Sequence, residues 1–307
     1  MEKTLQTCIL YGKYSPLEFI IDGIDPTAPI SAVCLEQKKG KVLQNLVAAL
    51  GLIRLFPCVF FTQRTLNDLR KVKHVHRFIV IENRHRPILK ALRILMPKSA
   101  DPHLFLHTPV SKTNRSARRL RQKGKLFHLS SFDEDTCQVY PDINIESSFY
   151  RFPPVELLKH VDIGYDCFFV GKEKGRGDIL REISENLDKV GLTYRFIVND
   201  ESMPFLPYTQ TLEMLNRSRC IVDVTLFTKG MSLRPMEALF FGKKLITNNP
   251  NIKRERLYHP DNVFIWGEDD IMQLHDFVMS PFHALPNELL RYYDINAWIE
   301  RYYTKAK

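Results

Sequence analysis

Apolar positions along this chain fall into short runs separated by polar segments of helical spacing, and the alternation persists through both halves. In the first half, ISAVCLE (30–36), CVFFT (58–62), RFIVIE (77–82), HLFLHT (103–108) and FHLSSF (127–132) read as strands. Each is short, apolar and rich in β-branched or aromatic residues. Residues 41–56 and 87–96 carry helical spacing, the second with Pro87 where a first turn tolerates it. The most apolar stretch, Val42 to Phe61, is interrupted by Gln44, Asn45, Arg54 and Pro57. It cannot supply the ~20 consecutive apolar residues of a membrane span, and it predicts a buried helix followed by a buried strand.

The second half repeats the rhythm more clearly. YDCFFVG (165–171), TYRFIVND (193–200), RCIVDVT (219–225), KKLITNN (243–249) and NVFIW (262–266) read as strands. Residues 178–190, 208–217 and 233–242 read as helices, the first ended by Gly191 and the third by Gly242. The tail, ELLRYYDINAWIERYY, has helical spacing. Pro141, Pro153 and Pro154 mark a linker within 141–155. Strand and helix in alternation imply parallel sheets, so the expected class is α/β with two Rossmann-like domains. The expected boundaries are 1–155, 156–288, and a terminal helix over 289–307.

Composition supports a globular chain: 44% of its 307 residues are hydrophobic and 26% charged. The start, MEKTLQTCILYGKYSPLEF, has no basic region leading into a long apolar run, so no secretory leader is expected and a cytoplasmic location is. The cysteines, Cys8, Cys34, Cys58, Cys137, Cys167 and Cys220, form no C-x-x-C pair and read as reduced thiols. No cofactor and no obligatory metal are expected. The net charge of +9 lies almost wholly in residues 1–150, with 151–307 close to neutral. Within the basic half, Lys112 to Lys125 carries seven basic residues and no acid. That segment suits anionic lipid headgroups or a phosphorylated glycolipid acceptor, although a solvated helix face is the ordinary alternative. Nucleic acid fits the charge, but no aromatic residue interleaves the basic ones and no nucleic-acid motif is present.

Two segments carry candidate chemistry. Gly171-Lys172-Glu173-Lys174-Gly175-Arg176-Gly177 joins a strand to a helix. Glycines allow close backbone approach, a helix N-terminus offers free amides, and Lys172, Lys174 and Arg176 add positive charge, which together suit a diphosphate. A basic solvated turn is the plain alternative. The second segment, Gly230-Met231-Ser232-Leu233-Arg234-Pro235-Met236-Glu237, is a glycine turn leading into a helix. Amides near Gly230 and Ser232, with Arg234, suit phosphate oxygens, and Glu237 suits ribose hydroxyls or simply the helix dipole.

RPMEALFFGKKLITNN resembles the donor-binding segment of GT-B-fold glycosyltransferases, especially the bacterial lipopolysaccharide-core and capsule types. YDCFFVGKEKGR is similar to the first strand and loop of their donor domain, and YDINAWIERYY to their terminal helix. The resemblance covers roughly 160–307 and is faint over 1–150. It implies two Rossmann-like domains facing across a cleft, a terminal helix crossing back, and a nucleotide-sugar donor held by the C-terminal domain without an obligatory metal. Transfer would go to a glycan or glycolipid acceptor, at the inner face of a membrane. Glu237 matches the second acid of the Glu-x7-Glu pattern of retaining members, but position 229 is Lys229 rather than the first acid. Lys229 or Arg234 then becomes the group that stabilises the leaving diphosphate.

An inverting transfer needs a base at the C-terminal end of an N-domain strand. Glu82, His107 and Asp133 are the candidates there, with Asp133 also a candidate helix cap. In the other half, Asn199 and Asp200 end a strand and are candidates for contact with the base or ribose, and Asp223 lies inside a strand, where it could touch the sugar or simply terminate the strand's apolar face. Rival readings are a nucleotide-sugar epimerase or hydrolase of the same fold, a non-catalytic subunit, and a nucleic-acid-binding protein.

Overall fold

The computed structural model describes residues 6–81, 85–108, 110, 113–159, 161–199, 206–226 and 230–304. The chain divides into two compact units, Met1–Ser147 with Tyr302–Lys307, and Ser148–Arg301.

The first unit runs β1 Thr7–Gly12, α1 Ser15–Ile21, β2 Ile30–Leu35, α2 Lys41–Ala49, α3 Gln63–Lys71, β3 Arg77–Ile81, α4 Arg86–Leu95, β4 Asp101–Leu106, α5 Asn114–Gly124, β5 His128–Ser131, α6 Glu134–Val139 and β6 Asn144–Ile145. Its sheet has the order β2-β1-β3-β4-β5-β6, every neighbouring pair parallel. Alternate strand residues face one core. Cys8, Leu10, Val33, Leu35, Phe78, Val80, Leu104, Leu106 and Leu129 pack there against residues of α2, α3, α4 and α5. All four helices therefore cover the same sheet face.

Two expectations fail in this unit. CVFFT is not a strand: Pro57–Val59 forms a 3-10 turn, and Phe60 and Phe61 are buried by that turn, with only an isolated Gln37–Phe61 bridge. Pro57 fixes φ and removes a ladder donor at the point where a strand would begin. Nor is α2 a buried helix. Gln44 turns inward and its Nε2 donates to Lys38 O (2.8 Å) and Val59 O (3.2 Å), while Val42, Leu43, Leu46 and Leu50 face solvent.

The second unit runs β7 Tyr165–Lys172, α7 Gly177–Lys189, β8 Tyr194–Asn199, α8 Tyr208–Asn216, β9 Ser218–Asp223, α9 Leu233–Phe240, β10 Lys244–Thr247, β11 Val263–Ile265, α10 Leu274–Met279, α11 Asn287–Tyr293 and α12 Ile295–Thr304. The sheet order is β11-β10-β9-β7-β8, again all parallel. Counted from its own first strand, the first sheet runs 2-1-3-4-5-6 and the second 2-1-3-4-5, doubly wound arrangements whose strand order reverses between first and third strands. The tail is two helices rather than one, broken at Asp294. It is tied to the chain near Tyr150, whose N donates to Tyr293 O (2.8 Å) and whose O accepts from Ile295 N (2.7 Å). Trp298 is fully buried against Phe149, ring centroids 4.4 Å apart. Among the described residues, no helix is long and apolar enough to cross a membrane.

Candidate functional site

In a doubly wound sheet, the crevice outside the carboxyl ends of the strands at the reversal point is where ligands bind. In the second unit that point lies between β7 and β9, and charged side chains gather there. Arg234, in the first turn of α9, reaches across to β7. Its Nε and Nη2 donate to Val170 O (3.1 and 2.8 Å), and its Nη1 donates to Asp223 Oδ1 (3.0 Å) at the end of β9. The guanidinium lies over the Phe169 ring, 4.8 Å from its centroid. A guanidinium has five N–H donors, so an N–H on each terminal nitrogen remains for a ligand.

Gly171 makes this approach possible. A Cβ there would overlap Arg234 Nη2 and come within 3.1 Å of Phe169 Cζ and 3.4 Å of Arg176 Nη1. Arg176, at the start of α7, thus lies beside the same glycine. Its Nη1 donates to Lys172 O (3.1 Å), while its Nε is buried without a partner. Burial depresses its pKa, and the neighbouring Arg234 charge adds to that. The buried carboxylate of Asp223 pairs with Arg234 and acts on Arg176 only through space, so the cluster keeps an unmet buried donor on Arg176. Such a donor costs about 1–3 kcal/mol until something accepts from it. On the next strand Asn199 is also buried, and its Nδ2 too has no partner.

The loop after β7 differs from the sequence expectation in one respect. The amides of Gly175 and Gly177 are not free: the Glu173 carboxylate accepts from both, at 2.7 and 3.0 Å. These bonds hold its pKa below the usual carboxylate range. An acid in the basic loop thereby fills the N-terminus of α7, and Lys174 (φ +44°) is exposed at the turn. Lys172 is half-buried at the end of β7.

The N-terminus of α9 is different. Ser232 occupies the cap position without a side-chain cap bond, and Pro235 has no amide, so the uncapped first-turn amides are those of Leu233 and Arg234. Gly230 is buried, and its carbonyl accepts from Asn249 Nδ2 at 3.5 Å. Asn248 clamps Thr225 from both sides, accepting from its N (2.8 Å) and donating to its O (2.9 Å). The two asparagines after β10 therefore fix both ends of the β9–α9 connection. Sequence reasoning missed them, because Asn after a strand reads as turn chemistry.

Glu237 is buried beneath the first turn of α9. Tyr208 OH donates to its Oε1 at 2.7 Å, and Tyr208 and Tyr150 hydroxyls are 2.9 Å apart. Desolvation raises the pKa of Glu237, with the Tyr208 bond and Arg234 opposing the shift. Its Oε2 has no hydrogen-bond partner among the described residues.

In the first unit, Asp133 is buried and caps α6: its Oδ2 accepts from Thr136 N (2.9 Å) and Thr136 Oγ1 (2.7 Å). His107 sits between the Phe105 and Phe132 rings, centroids 6.0 and 5.7 Å away. Glu82, Lys112, Asp200 and Lys229 lie outside the described residues. The basic segment forms α5, with Thr113 as its cap, and exposes Arg115, Arg118, Arg119, Arg121 and Lys125. Two features lie away from the arginine cluster. A cavity of about 350 Å³ at the opposite edge of the second sheet is lined by Ser218, Arg219, Lys243 and Lys244. His259, Asp261 and His283 bring ligand-type atoms within 4.8 Å of one another on the exposed surface.

No family model matches the chain, and no curated protein matches it significantly. Solved structures do match along almost its whole length. It is similar to Alr3699/HepE of Anabaena in complex with UDP and glucose, at 10% identity over 97% of this chain and 99% of that one, TM-score 0.54. It is similar to a glycosyltransferase from Rickettsia africae ESF-5 at 9% identity over 99% and 98%, TM-score 0.51. It is similar to the N-terminal domain of trehalose-6-phosphate phosphatase from Candida albicans at 8% identity over 97% and 98%, TM-score 0.52. Identities this low define the fold: two Rossmann-like domains of GT-B type with a C-terminal helix.

Proposed function

We propose that this protein is a glycosyltransferase that moves a sugar from a nucleoside diphosphate sugar to a glycan or glycolipid hydroxyl. The observation that carries the reading is the arginine pair: Arg176 and Arg234 converge on Gly171 at the sheet's reversal point, Arg234 bonded to the buried Asp223 and Arg176 Nε unsatisfied. A diphosphate supplies the missing acceptors. The amides of Leu233 and Arg234 and the Ser232 hydroxyl take further phosphate oxygens. Glu237 Oε2 accepts from ribose hydroxyls, and Asn199 Nδ2 donates to the base or ribose. As the bond to the sugar breaks, charge builds on the diphosphate, and Arg176 and Arg234 stabilise it without a metal ion. Lys172 and Lys174 add to the same field.

Two structures of similar fold, one bound to UDP and glucose and one from a glycosyltransferase, support the donor class. The RPMEALFFGKKLITNN segment supports the finer context of cell-surface polysaccharide or lipopolysaccharide assembly. In that context the protein is cytoplasmic and peripheral, and the exposed arginines of α5 attract an anionic acceptor or membrane surface. His107 and Asp133 remain the acceptor-side candidates of the first unit.

Calorimetric titration with UDP, GDP, dTDP and CMP and their sugar conjugates tests the reading. At least one nucleotide binds, and Arg176→Ala weakens it about 10- to 100-fold, the range for a charge-assisted contact to phosphate. Binding without turnover would make the chain a non-catalytic subunit, and an isomerised or hydrolysed donor would make it an epimerase or hydrolase. If no nucleotide binds, the donor reading is wrong.

A further inference from the structure

Helix α2 is built inside out. Its inward side carries Gln44 with Val47 and Ala48, and Gln44 is locked there by its bonds to Lys38 O and Val59 O. A buried amide tied to two loop carbonyls fixes the rotation of the helix, because turning it would strand three polar groups. The consequence is that Val42 (86% exposed), Leu43, Leu46 and Leu50 (61%) face solvent, followed by Leu55 (72%) and Phe56 in the turns beyond. Six large apolar side chains within 42–56 are thus left open to solvent, a concentration of the kind that marks interaction surfaces.

The surroundings of this surface are basic. Lys38, Lys39 and Lys41 flank one end and Arg54 the other, all exposed, and no acidic residue occurs from Gln37 to Asn67. Helix α5 covers the same sheet face as α2 and exposes Arg115, Arg118, Arg119, Arg121 and Lys125. An apolar helix face rimmed by lysines matches the surface of an anionic bilayer, with leucines among the acyl chains and cations at the headgroups. A second copy of the chain fits less well, since a two-fold contact through this face would bring like-charged rims together.

We infer that the exposed apolar face of α2 and the turns through Phe56 insert into the interface of an anionic lipid bilayer. This deepens the peripheral location named above by assigning the inserting element. Its test is independent of nucleotide binding, so failure here leaves the donor site untouched.

The test is flotation of the whole chain with phosphatidylcholine vesicles, with and without 30% phosphatidylglycerol. The protein floats with the anionic vesicles and not the neutral ones. Leu46→Ser with Leu50→Ser and Leu55→Ser lowers vesicle affinity at least tenfold, while circular dichroism and thermal unfolding stay as in the parent. Lys38→Glu with Lys39→Glu and Lys41→Glu lowers it comparably and removes much of its salt sensitivity. Absence of flotation overturns the inference. So does flotation unaffected by the leucine changes, which would assign binding to α5 charge alone. Concentration-dependent self-association abolished by the leucine variant would identify the face as an interface between copies.

Discussion

The two sheets share one strand order, yet their carboxyl edges are finished differently. At the edge of the second sheet, Arg176, Arg234, Asp223 and Glu237 are largely or wholly withdrawn from solvent, and donors on Arg176 and Asn199 remain unmet. At the edge of the first, Asp133 and Thr136 satisfy each other, Thr136 Oγ1 also accepts from Val110 N (3.0 Å), and Ser131 Oγ donates to Leu106 O. Among the described residues, one edge keeps unmet buried donors, and the other pairs its polar groups at the ends of β4 and β5. Their outer surfaces contrast as well: the basic excess lies in the first unit, beside an exposed apolar helix face. Topology says where a site can be, and the unpaired buried group says whether one is there.

The sharpest way to break this contrast is to fill Gly171. In Gly171→Ala the new methyl occupies the place of Arg234 Nη2, and Arg234, a flexible side chain, swings away rather than the backbone. Asp223 then loses its buried partner, which costs several kcal/mol in comparable buried pairs. Nucleotide affinity falls at least tenfold and the melting temperature drops by several degrees. Calorimetry and thermal unfolding measure both, and an unchanged nucleotide affinity would remove the arginine pair from the site.

The strands and helices around Gly171 and Arg234 were legible because apolar runs are punctuated there by glycine at each turn. What was illegible depended on partners distant in sequence. Glu173 in KEKGRG looked like one acid diluted among bases, yet its carboxylate is what closes the amides of the α7 terminus. Strand β1 escapes the sequence pattern: its run CILYG is short and lies between polar residues, yet it is an interior strand paired on both sides, with β2 and β3. Helix α2 was read as buried because its leucines are apolar. Its true orientation is set by Gln44 meeting carbonyls at 38 and 59, which periodicity cannot reveal. The 58–62 run was apolar enough for a strand, but Pro57 turned its burial into a 3-10 corner.

A second test asks whether Glu237 belongs to the open edge. Its folded pKa is raised by burial above the ordinary 4.5, so the folded state holds this proton more tightly than the unfolded chain. Stability from that proton is fully present below pH 4.5 and is lost as pH rises through the raised folded value. Glu237→Gln keeps the shape and the acceptor for Tyr208 without the buried charge. Its melting temperature exceeds that of the parent by a few degrees at pH 8, and the gap closes toward pH 4.5. Nucleotide affinity falls several-fold in the same variant, because with its oxygen on Tyr208 the amide presents an NH2 donor, not an acceptor, where Oε2 stood. A constant difference in melting temperature across the range would show that Glu237 is not the group being titrated.

The smallest effect belongs to the closed edge. Asp133→Ala removes the cap of α6 and leaves Thr136 N and Oγ1 without their acceptor. A lost cap of this kind costs about 1 kcal/mol, up to about 2 where it is buried. In a unit of this size that is a fall of roughly 2–8 °C in its melting temperature. Nucleotide affinity stays unchanged, because Asp133 belongs to the first unit and the arginine cluster to the second. The informative companion is Asp133→Asn, whose side-chain oxygen still accepts from Thr136 N. If asparagine restores stability and the rate of sugar transfer together, Asp133 acts only as a cap. If it restores stability while transfer stays at least a hundredfold down, the carboxylate itself handles the acceptor proton, and the first edge is less closed than its hydrogen bonds make it.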